Sequence, residues 1–373
     1  MTAKQRIEAL RFSLATPADD AALRRLLRET PMEGRIQVAF AREPSFIEAS
    51  EVEGPVHQTI VACTPSGETV GLCGRSVRPM WVNGERRSVG YLSALRLAPS
   101  FRGRPRTLKL GFAAVRALHD KDRLTPYYLS TIIQDNQPAR RVLEKELPGF
   151  PSYLPKGELV TLALPTWRRR RARSPEGLSL RAATEQDWPA IRACLARAAP
   201  RYHFRPDWDA ENLGLCRALG AGDFTLALRD DAVVGCVALW DQRSFKQSVV
   251  AGYSGFLGTF RWLINLLAPL LGVPRLPPPG GTLDGAMLSH LAVDGDDLAV
   301  ALALLARAHE AAVGRFGTLT LGLPAQHPWT AKVKALFGAI EYRSLVYAVA
   351  WEDGLDAARA LDERLCWPEV AVL

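Results

Sequence analysis

The sequence has little of what disulfide frameworks and metal centres need. Its 373 residues include six cysteines and six histidines, and no two cysteines form a Cys-x-x-Cys pair. We therefore expect neither a disulfide framework nor a zinc site, and buried thiols in a reducing cytosol fit the cysteines better. The start of the chain joins no basic segment to an apolar one, so no signal peptide is expected and the predicted location is cytoplasmic.

Strong compositional bias is also missing. Hydrophobic residues make up 48% of the chain and charged residues 23%, which is close to the average of globular proteins. This composition excludes an intrinsically disordered chain, a collagen and a coiled coil. The length predicts roughly two domains, each large enough for a hydrophobic core of its own.

Excess positive charge is confined to the first half. Residues 1–173 hold 29 Lys and Arg against 17 Asp and Glu, a net charge of +12. Residues 174–373 hold 18 against 22, a net charge of −4. We expect the first half to attract polyanions, and a nucleotide cofactor and a nucleic acid both fit that expectation.

A basic stretch separates two similar halves. Residues 167–177 carry five arginines, end in a Pro and Gly turn and have no apolar period. We interpret them as a linker between a domain at 1–166 and a domain at 178–373. An arm that binds nucleic acid or a membrane surface is the alternative interpretation.

Both halves follow the same order of predicted elements. Each begins with a short strand and a capped helix, continues through a hairpin to an apolar strand, a loop and a helix, and closes with further strands around a short helix. The strand, loop and helix fall at 91–118 in the first half and at 287–312 in the second. This repeat indicates a tandem duplication of a mixed α/β (α+β) unit, with helices packed on a mainly antiparallel sheet.

Two segments of the first half carry more specific motifs. The apolar strand is followed by Pro99-x-x-Arg102-Gly103, and a later segment reads Asn136-x-x-Ala139 before Glu-Lys and Gly-Phe pairs. They resemble the acyl-CoA loop and the downstream segment of the GNAT acyltransferase superfamily. The match covers most of residues 10–165, and the whole chain resembles a tandem GNAT protein with a degenerate second copy.

The resemblance implies a binding site for acetyl-CoA or a related acyl-CoA, without a metal. A strand that feeds a helix start leaves free N–H groups and a positive dipole end, where a pyrophosphate can dock. By resemblance, the backbone of the strand holds the pantetheine arm, and Asn136 contacts the far side of the cofactor. The expected cofactor-binding residues are Leu95, Arg96, Leu97, Arg102, Gly103, Arg104, Arg106, Thr107 and Asn136.

The sequence departs from the family pattern at the loop and at the catalytic positions. Small residues are usual where Pro105 and Thr107 stand, and Pro105 has no N–H to offer a phosphate. The family's common tyrosine is replaced by Leu143, and its common carboxylate near Ser93 is absent. The remaining catalytic candidates are Tyr91, Ser93 and Asp135, each of which also fits a structural role. Direct transfer helped by positioning, and loss of the chemistry, both remain open.

The second copy carries acids where the first carries arginines. Its loop holds Asp294, Asp296 and Asp297 at the helix start, where they satisfy the dipole and would repel a pyrophosphate. We therefore expect this half to shape the acceptor site or to serve as a scaffold.

An insertion at about 241–282 is specific to the second half. Its apolar middle, 253–271, is interrupted by Arg261, Asn265 and Pro269, so a membrane span is not expected. A buried helix at the domain interface is the favoured interpretation. A wall for a long acyl chain or lipid-like acceptor, or an interfacial membrane contact, is the alternative. Its polar residues Asp241, Gln242 and Lys246 are candidate substrate contacts.

We therefore predict an N-acetyltransferase or N-acyltransferase that moves an acyl group to an amine of a small-molecule or other acceptor. Nucleic acid and membrane surfaces are partners that we do not favour. One rival hypothesis is a non-catalytic module that keeps the fold and binds a ligand. The other is an acyltransferase acting on a nucleic-acid-linked or lipid acceptor.

Overall fold

The computed structural model describes residues 10–32, 34–271 and 275–373. The first nine residues, on which the signal-peptide expectation rests, lie outside this range. The elements of the first half are β1 Arg11–Leu14, α1 Asp20–Glu29, β2 Ile36–Ala41, α2 Phe46–Ser50, β3 Val56–Cys63, β4 Thr69–Val82, β5 Glu85–Leu97, α3 Pro105–Asp122, β6 Tyr128–Ile133, α4 Gln137–Leu143 and β7 Ser152–Pro165.

The second half repeats this order with an insertion. Its elements are β8 Leu178–Ala182, α5 Trp188–Ala198, β9 Arg205–Pro206, α6 Ala210–Gly214, β10 Phe224–Arg229, β11 Ala232–Trp240, β12 Gln247–Tyr253, α7 Gly255–Leu271, β13 Gly285–Val293, α8 Leu298–Ala312, β14 Thr318–Pro324, α9 Pro328–Phe337, β15 Ile340–Ala350 and α10 Leu355–Arg359. The predicted α+β class, with helices on a mainly antiparallel sheet, is confirmed.

One sheet of 13 strands runs through both halves. Its order is β1-β3-β4-β5-β6-β15-β7-β14-β13-β11-β10-β8, and the short β9 pairs with β4. Parallel pairing joins β5 to β6 and β13 to β14, whereas the other neighbours are antiparallel. The two parallel pairs therefore occupy equivalent places in the two halves.

The closing strands are exchanged between the halves. Strand β15 of the second half pairs with β6 and β7, which both belong to the first half. Strand β7 of the first half pairs with β15 and β14, which both belong to the second half. Each closing strand thus completes its partner's part of the sheet, and residues far apart in sequence meet at the centre.

The linker prediction at 167–177 stays a prediction. The segment 166–177 contains no helix or strand, and it joins β7 to β8. The sheet nevertheless runs without interruption from one half to the other.

Alternating side chains of the strands pack against helices on both faces of the sheet. In β3, Ile60 contacts the cluster that contains Phe112 of α3, whereas its neighbour Val61 contacts the cluster that contains Leu23 of α1. This alternation is what a strand buried on both faces requires. It fixes α3, the helix of the predicted cofactor loop, on one face of the sheet.

The insertion forms a separate feature. Strand β12 pairs with β2 of the first half as a two-stranded sheet, and helix α7 follows it. The expectation of a buried helix is wrong, because large apolar side chains of α7, including Trp262 and Leu270, are exposed. Composition alone cannot distinguish a helix buried on its apolar face from one that presents this face to solvent. In the described part of the chain, no helix has both the length and the apolar character that crossing a membrane requires.

Candidate active site

A gap opens between β5 and β6, and we call it the first opening. The two strands pair only at Gly90 with Tyr128 and Tyr91 with Leu129. Farther along, β5 contains a bulge, and Ala94 at the bulge has a φ of 52°. A bulge bends its strand and interrupts regular pairing, so β5 turns away from β6 beyond this point.

The carbonyl groups of β5 at the first opening are held by arginine side chains. The carbonyl oxygen of Leu95 accepts a 3.0 Å hydrogen bond from Arg96, and that of Leu97 accepts a 3.1 Å bond from Arg102. The side chain of Leu95 is exposed, as is Arg102. Arg102 faces solvent and can leave the carbonyl of Leu97, whereas Arg96 is half-buried and must move aside to free that of Leu95. The strand edge can then accept a ligand that carries its own amide donors.

Helix α3 begins directly after this edge. No described side chain caps its first turn, and Pro105 occupies the first helical position, where the missing N–H costs no hydrogen bond. Gly103 has a φ of 69°, a conformation that favours glycine. The hydroxyl of Thr107 is buried and has no hydrogen-bond partner in the described residues. A helix start with an unpaired hydroxyl and the basic side chains of Arg102, Arg104 and Arg106 fits a phosphate group.

The second half builds the same backbone. The gap between β13 and β14, which we call the second opening, begins after three parallel pairs that end at Met287 and Thr320. Strand β13 is bulged at His290, which has a φ of 54°. The bulge sequences correspond, since Leu-Ser-Ala-Leu at 92–95 matches Leu-Ser-His-Leu at 288–291. The two halves therefore share the backbone feature that opens the sheet.

The second opening, however, is filled by side chains of the protein. The carbonyl of Leu291, which corresponds to Leu95, accepts a 2.7 Å bond from the buried Arg205. The carbonyl of Val293, which corresponds to Leu97, accepts a 2.8 Å bond from Arg201. Both arginines come from the segment after α5 that crosses to β4 of the first half.

Aromatic side chains complete this filling. The ring of Tyr202 lies 4.8 Å from that of Trp367, which in turn lies 5.8 Å from Trp329. The indole N–H of Trp367 donates to the carbonyl of Gly322 on β14, so this side chain is anchored to the strand that borders the opening. The space between these side chains does not admit a water molecule, and no pantetheine arm can enter without displacing them.

The start of α8 is also occupied. The carboxylate of Asp297 accepts from the N–H groups of Ala299 and Val300 at 2.9 and 3.3 Å. The carboxylates of Asp294 and Asp296 pair with arginines of the segment that fills the opening or precedes it. The donors that a phosphate would use are therefore satisfied internally.

A carboxylate does lie beside Ser93, although it comes from another element. The hydroxyl of Ser93 donates a 2.9 Å hydrogen bond to Glu53, which follows α2 in a 3₁₀ turn over Glu51–Glu53. Glu53 is fully buried and forms an ion pair with Arg42 at 2.5 Å. Burial alone would raise the pKa of the Glu53 carboxyl, but Arg42, His57 and Lys246 lower it to about 2. Glu53 is therefore ionised at neutral pH.

Lys246 lies within the electrostatic reach of this carboxylate. Burial, together with the charges of Arg42 and Arg78, lowers the pKa of the Lys246 ammonium to about 8. Arg78 is buried, and its Nε and Nη2 atoms have no hydrogen-bond partner among the described residues. The cluster thus holds one ionised carboxylate and several cations, and Lys246 is the member whose proton can exchange near neutral pH.

The other predicted site residues are placed differently. The hydroxyl of Tyr91 lies 3.3 Å from that of Thr131, and burial raises its pKa to about 12. Asp135 lies in an exposed turn beyond β6 and has no polar contact with Tyr91 or Ser93 in the described structure. Asn136 caps α4 by accepting from the N–H of Ala139.

The three candidate substrate residues of the insertion do not converge. Asp241 binds Arg243 on the surface, and the buried Gln242 donates to the carbonyl of Ala371. Of the three, only Lys246 interacts electrostatically with Glu53, whose pKa it helps to lower. Asp241 and Gln242 therefore have structural partners of their own.

A tyrosine of the second half lies beside the position of the family tyrosine. Leu143 is buried in one cluster with Tyr347 of the exchanged strand β15. The hydroxyl of Tyr347 donates to the carboxylate of Glu144, the residue after Leu143. Burial raises the pKa of Tyr347 to about 12, so the phenol stays protonated at neutral pH.

Among the described residues, one group of potential metal ligands joins the last turns of α3 to the turn before α10. Ligand atoms of His119, Asp120 and Asp353 lie within 4.8 Å of one another. Arg116 already pairs with both carboxylates, at 2.8 Å and 2.6 Å. The arrangement is that of a surface ion-pair network, and we assign no metal to it.

Sequence reasoning missed the residues that only the tertiary structure brings in. Glu53, Arg42 and Tyr347 lie far from the motif segments, and no local pattern marks them. Arg205 was missed for the same reason. The matching bulge sequences at 92–95 and 288–291 were a usable signal, because they align the filled opening with the accessible one.

Comparison with known proteins identifies solved structures that share the fold of this chain. No family model and no curated protein matches the chain. Among solved structures, a GCN5-related N-acetyltransferase from Sphaerobacter thermophilus is similar over 91% of this chain and 95% of its own, with a TM-score of 0.52 and 14% identity. The N-myristoyltransferase of Saccharomyces cerevisiae with bound myristoyl-CoA is similar over 91% and 82%, with a TM-score of 0.59 and 12% identity.

A third similar structure is the GCN5-related glucosamine N-acetyltransferase region of a fungal multi-domain β-N-acetylglucosaminidase. It matches 91% of this chain and 38% of its own, with a TM-score of 0.60 and 13% identity. The chain therefore has the fold of the GCN5-related N-acetyltransferases, and the resemblance inferred from the motifs is confirmed at the level of fold.

Proposed function

We propose that the protein is an N-acyltransferase that takes an acyl group from acyl-CoA and passes it to an amine. The observation that carries this proposal is the difference between the two openings. The first has the carbonyls of Leu95 and Leu97 at its edge and a helix start that no described side chain caps, whereas the second is filled by Arg205 and its neighbours. Internal filling leaves one opening for a ligand, and it is the one that carries the motif residues.

The first opening fits the shape and chemistry of an acyl-CoA. The carbonyls of Leu95 and Leu97 would accept from the amides of a pantetheine arm, in place of Arg96 and Arg102. Once released, these arginines would be free to pair with phosphates at the start of α3. When bound, the acyl-CoA supplies an activated thioester, and the residues of this chain orient it and manage protons.

The amine acceptor is proposed to bind near Ser93, beside the cluster around Glu53. Its lone pair attacks the thioester carbonyl, the new C–N bond forms and the C–S bond breaks. The proton lost by the amine passes to the neutral side chain of Lys246, whose pKa of about 8 suits a base near neutral pH. Glu53 stays ionised and holds Ser93 and Arg42 in place.

The leaving thiolate needs a proton, and Tyr347 is the proposed donor. It lies next to Leu143, where the family's tyrosine would stand, and its raised pKa keeps it protonated. The proton that Lys246 gains returns through solvent to the phenolate of Tyr347, so the reaction yields an amide and a thiol and restores both side chains to their starting protonation states. The second half thus contributes Lys246 and Tyr347 to a site whose cofactor side belongs to the first half.

The proposal is tested by release of free CoA. The protein is incubated with acetyl-CoA or myristoyl-CoA and a panel of primary amines, and the released thiol is measured together with acylated amine by mass spectrometry. We expect amine-dependent thiol release that the double variant Arg102→Ala/Arg104→Ala lowers at least tenfold. The matched control is Arg171→Ala/Arg173→Ala, which removes the same charge from the exposed stretch after β7. Acyl-CoA binding without turnover by any amine would instead support the non-catalytic module.

A further inference from the structure

Helix α7 presents an apolar face to solvent. Trp262, Leu266 and Leu270 follow one another at intervals of four residues, and their exposed fractions are 66%, 65% and 84%. Phe256, Phe260 and Leu267 lie on the same face and are also exposed. Single exposed apolar residues are common, but a continuous face of this kind marks an interaction surface.

The opposite face of α7 is fixed to the protein. Asn265 exchanges two hydrogen bonds with the backbone of Leu276, at 2.9 and 2.7 Å, and Arg261 donates to the same carbonyl. Ala268 on this face is fully buried. The segment that follows is tied to β12 by bonds between Val250 and the backbone of 280–281. The helix therefore cannot rotate to bury its apolar face.

The surroundings of this face are positively charged. Of the four Lys and Arg residues in 242–283, Arg243 pairs with Asp241 and Asp284 and Lys246 interacts with Glu53, which leaves Arg261 and Arg275. Arg275 is exposed beside Leu276, and Arg35 is exposed at the start of the helix, where its carbonyl accepts from Ser254. Neither guanidinium forms an ion pair with a described residue, so both are available to anions.

We propose that α7 docks flat on an anionic lipid bilayer. An exposed apolar helical face with Trp, Phe and Leu, on a segment that also carries exposed arginines, is the pattern of helices that lie in the membrane interface. Seventeen residues extend about 25 Å, but the fixed polar face keeps the helix in the plane of the surface. A second copy of the chain fits less well, because a symmetric contact would bring together the arginines of both copies, and neither Arg35 nor Arg275 pairs with an acid among the described residues.

Docking would also orient the proposed active site. The ribbon of β12 and β2 runs from Gln247, next to Lys246, to Tyr253 at the start of α7. An acceptor that resides in the membrane would then enter from the side of the lipid surface. The docking itself does not depend on the proposed activity.

The test is flotation of the full-length protein with vesicles of phosphatidylcholine alone or with added phosphatidylglycerol. We expect wild type to float with the anionic vesicles. The variant Trp262→Ser/Leu266→Ser/Leu270→Ser should bind these vesicles with a partition coefficient at least tenfold lower. The variant Arg35→Ala/Arg275→Ala should lose the preference for anionic lipid. The matched control, Ile340→Ser/Tyr342→Ser, alters exposed apolar residues of β15 and should float as wild type does.

Two results would overturn the docking proposal. One is equal flotation of wild type and the α7 variant, which includes the case in which neither floats. The other is a dimer in lipid-free sedimentation that the α7 substitutions dissociate, because the face would then be covered by a second copy. Thermal melting of each variant checks that the fold is intact, and exposed positions are expected to leave the melting temperature unchanged.

Discussion

Arg205 donates a 2.7 Å hydrogen bond to the carbonyl of Leu291. The bond closes a gap in the sheet that the backbone opens at equivalent places in both halves. The buried guanidinium also lies 4.6 Å from the ring of Trp367, so one side chain both satisfies the strand edge and anchors the aromatic filling. In the first half, Arg96, the next residue in the chain, is the one described side chain that donates to the corresponding carbonyl.

This contrast predicts opposite effects of two arginine substitutions. Arg205→Met leaves a buried carbonyl without a donor, and we expect it to lower the free energy of unfolding by about 3 kcal/mol without changing acyl-CoA affinity. Arg102→Ala removes an exposed cation of the first opening, and should weaken acyl-CoA binding about tenfold with an unchanged melting temperature. Denaturant melts and calorimetric titrations of both variants measure the two effects. Loss of acyl-CoA binding in a folded Arg205→Met protein would contradict the assignment of the ligand to the first opening.

The exchange of β7 and β15 predicts that neither half folds alone. A fragment of residues 1–173 lacks β15, which pairs with both β6 and β7 in the intact chain. Unpaired edges at the centre of a sheet invite aggregation, so each fragment should lack a cooperative melt. Co-expression with residues 174–373 should restore a soluble pair that co-purifies. A cooperative transition of the isolated first fragment would show that the exchanged strand is dispensable.

The pKa of Lys246 predicts a pH dependence of both activity and stability. The proposed base is neutral above pH 8, so kcat/KM should rise to a plateau around that pH. Lys246→Met should lower kcat/KM about 10²-fold and remove this rise. Lys332→Met, at an exposed lysine of α9, is the control and should keep both the rate and the profile.

The sign of the stability effect follows from the same shift. The pKa of about 8 in the folded protein lies below the ordinary lysine pKa of 10.5, so between these values the unfolded chain binds more protons and stability rises with pH. At pH 7 the buried, charged lysine destabilises the folded protein. Lys246→Met removes this charge and should therefore raise the free energy of unfolding by about 2 kcal/mol. Denaturant melts from pH 7 to 10 measure this. A wild-type stability that falls over this range more than that of the variant would contradict the assigned environment.

The position of Tyr347 beside Leu143 predicts that the second half contributes to catalysis. Tyr347→Phe removes the proposed proton donor but keeps the ring in its cluster, so kcat should fall about 10²-fold while KM stays unchanged. Tyr342→Phe, at an exposed position of the same strand, is the control. An aryl thioester releases a more acidic thiol, which needs a proton donor less. If Tyr347 donates the proton, Tyr347→Phe should therefore lower kcat less with this acyl donor than with acyl-CoA. An equal loss with both donors would argue for structure alone.

The sequence was most informative where function depends on local pattern. The strand, the loop and the start of α3 follow from residues 91–118, and the self-capped start of α8 follows from the position of Asp297. The repeated element order gave the fold class. These features rest on short-range periodicity and capping, which a single sequence records well.

Long-range relationships could not be predicted. The strand exchange leaves no trace in local periodicity, because β7 and β15 would have the same pattern in either half. Glu53 reaches Ser93 only through the packing of α2 and the turn that follows it. The exposure of α7 depends on Asn265 and Leu276, whose bonds decide which face turns outward. An apolar helix looks the same in sequence whether its partner is the protein core or a lipid surface.

Calorimetric titration with acetyl-CoA, myristoyl-CoA and free CoA tests the central claim most directly, namely that one ligand binds in the first opening. We predict binding of one acyl-CoA per chain, weakened at least tenfold by Arg102→Ala/Arg104→Ala and unaffected by Arg171→Ala/Arg173→Ala. Two sites per chain, equal affinity in the two double variants, or no binding of any of the three compounds would contradict the account.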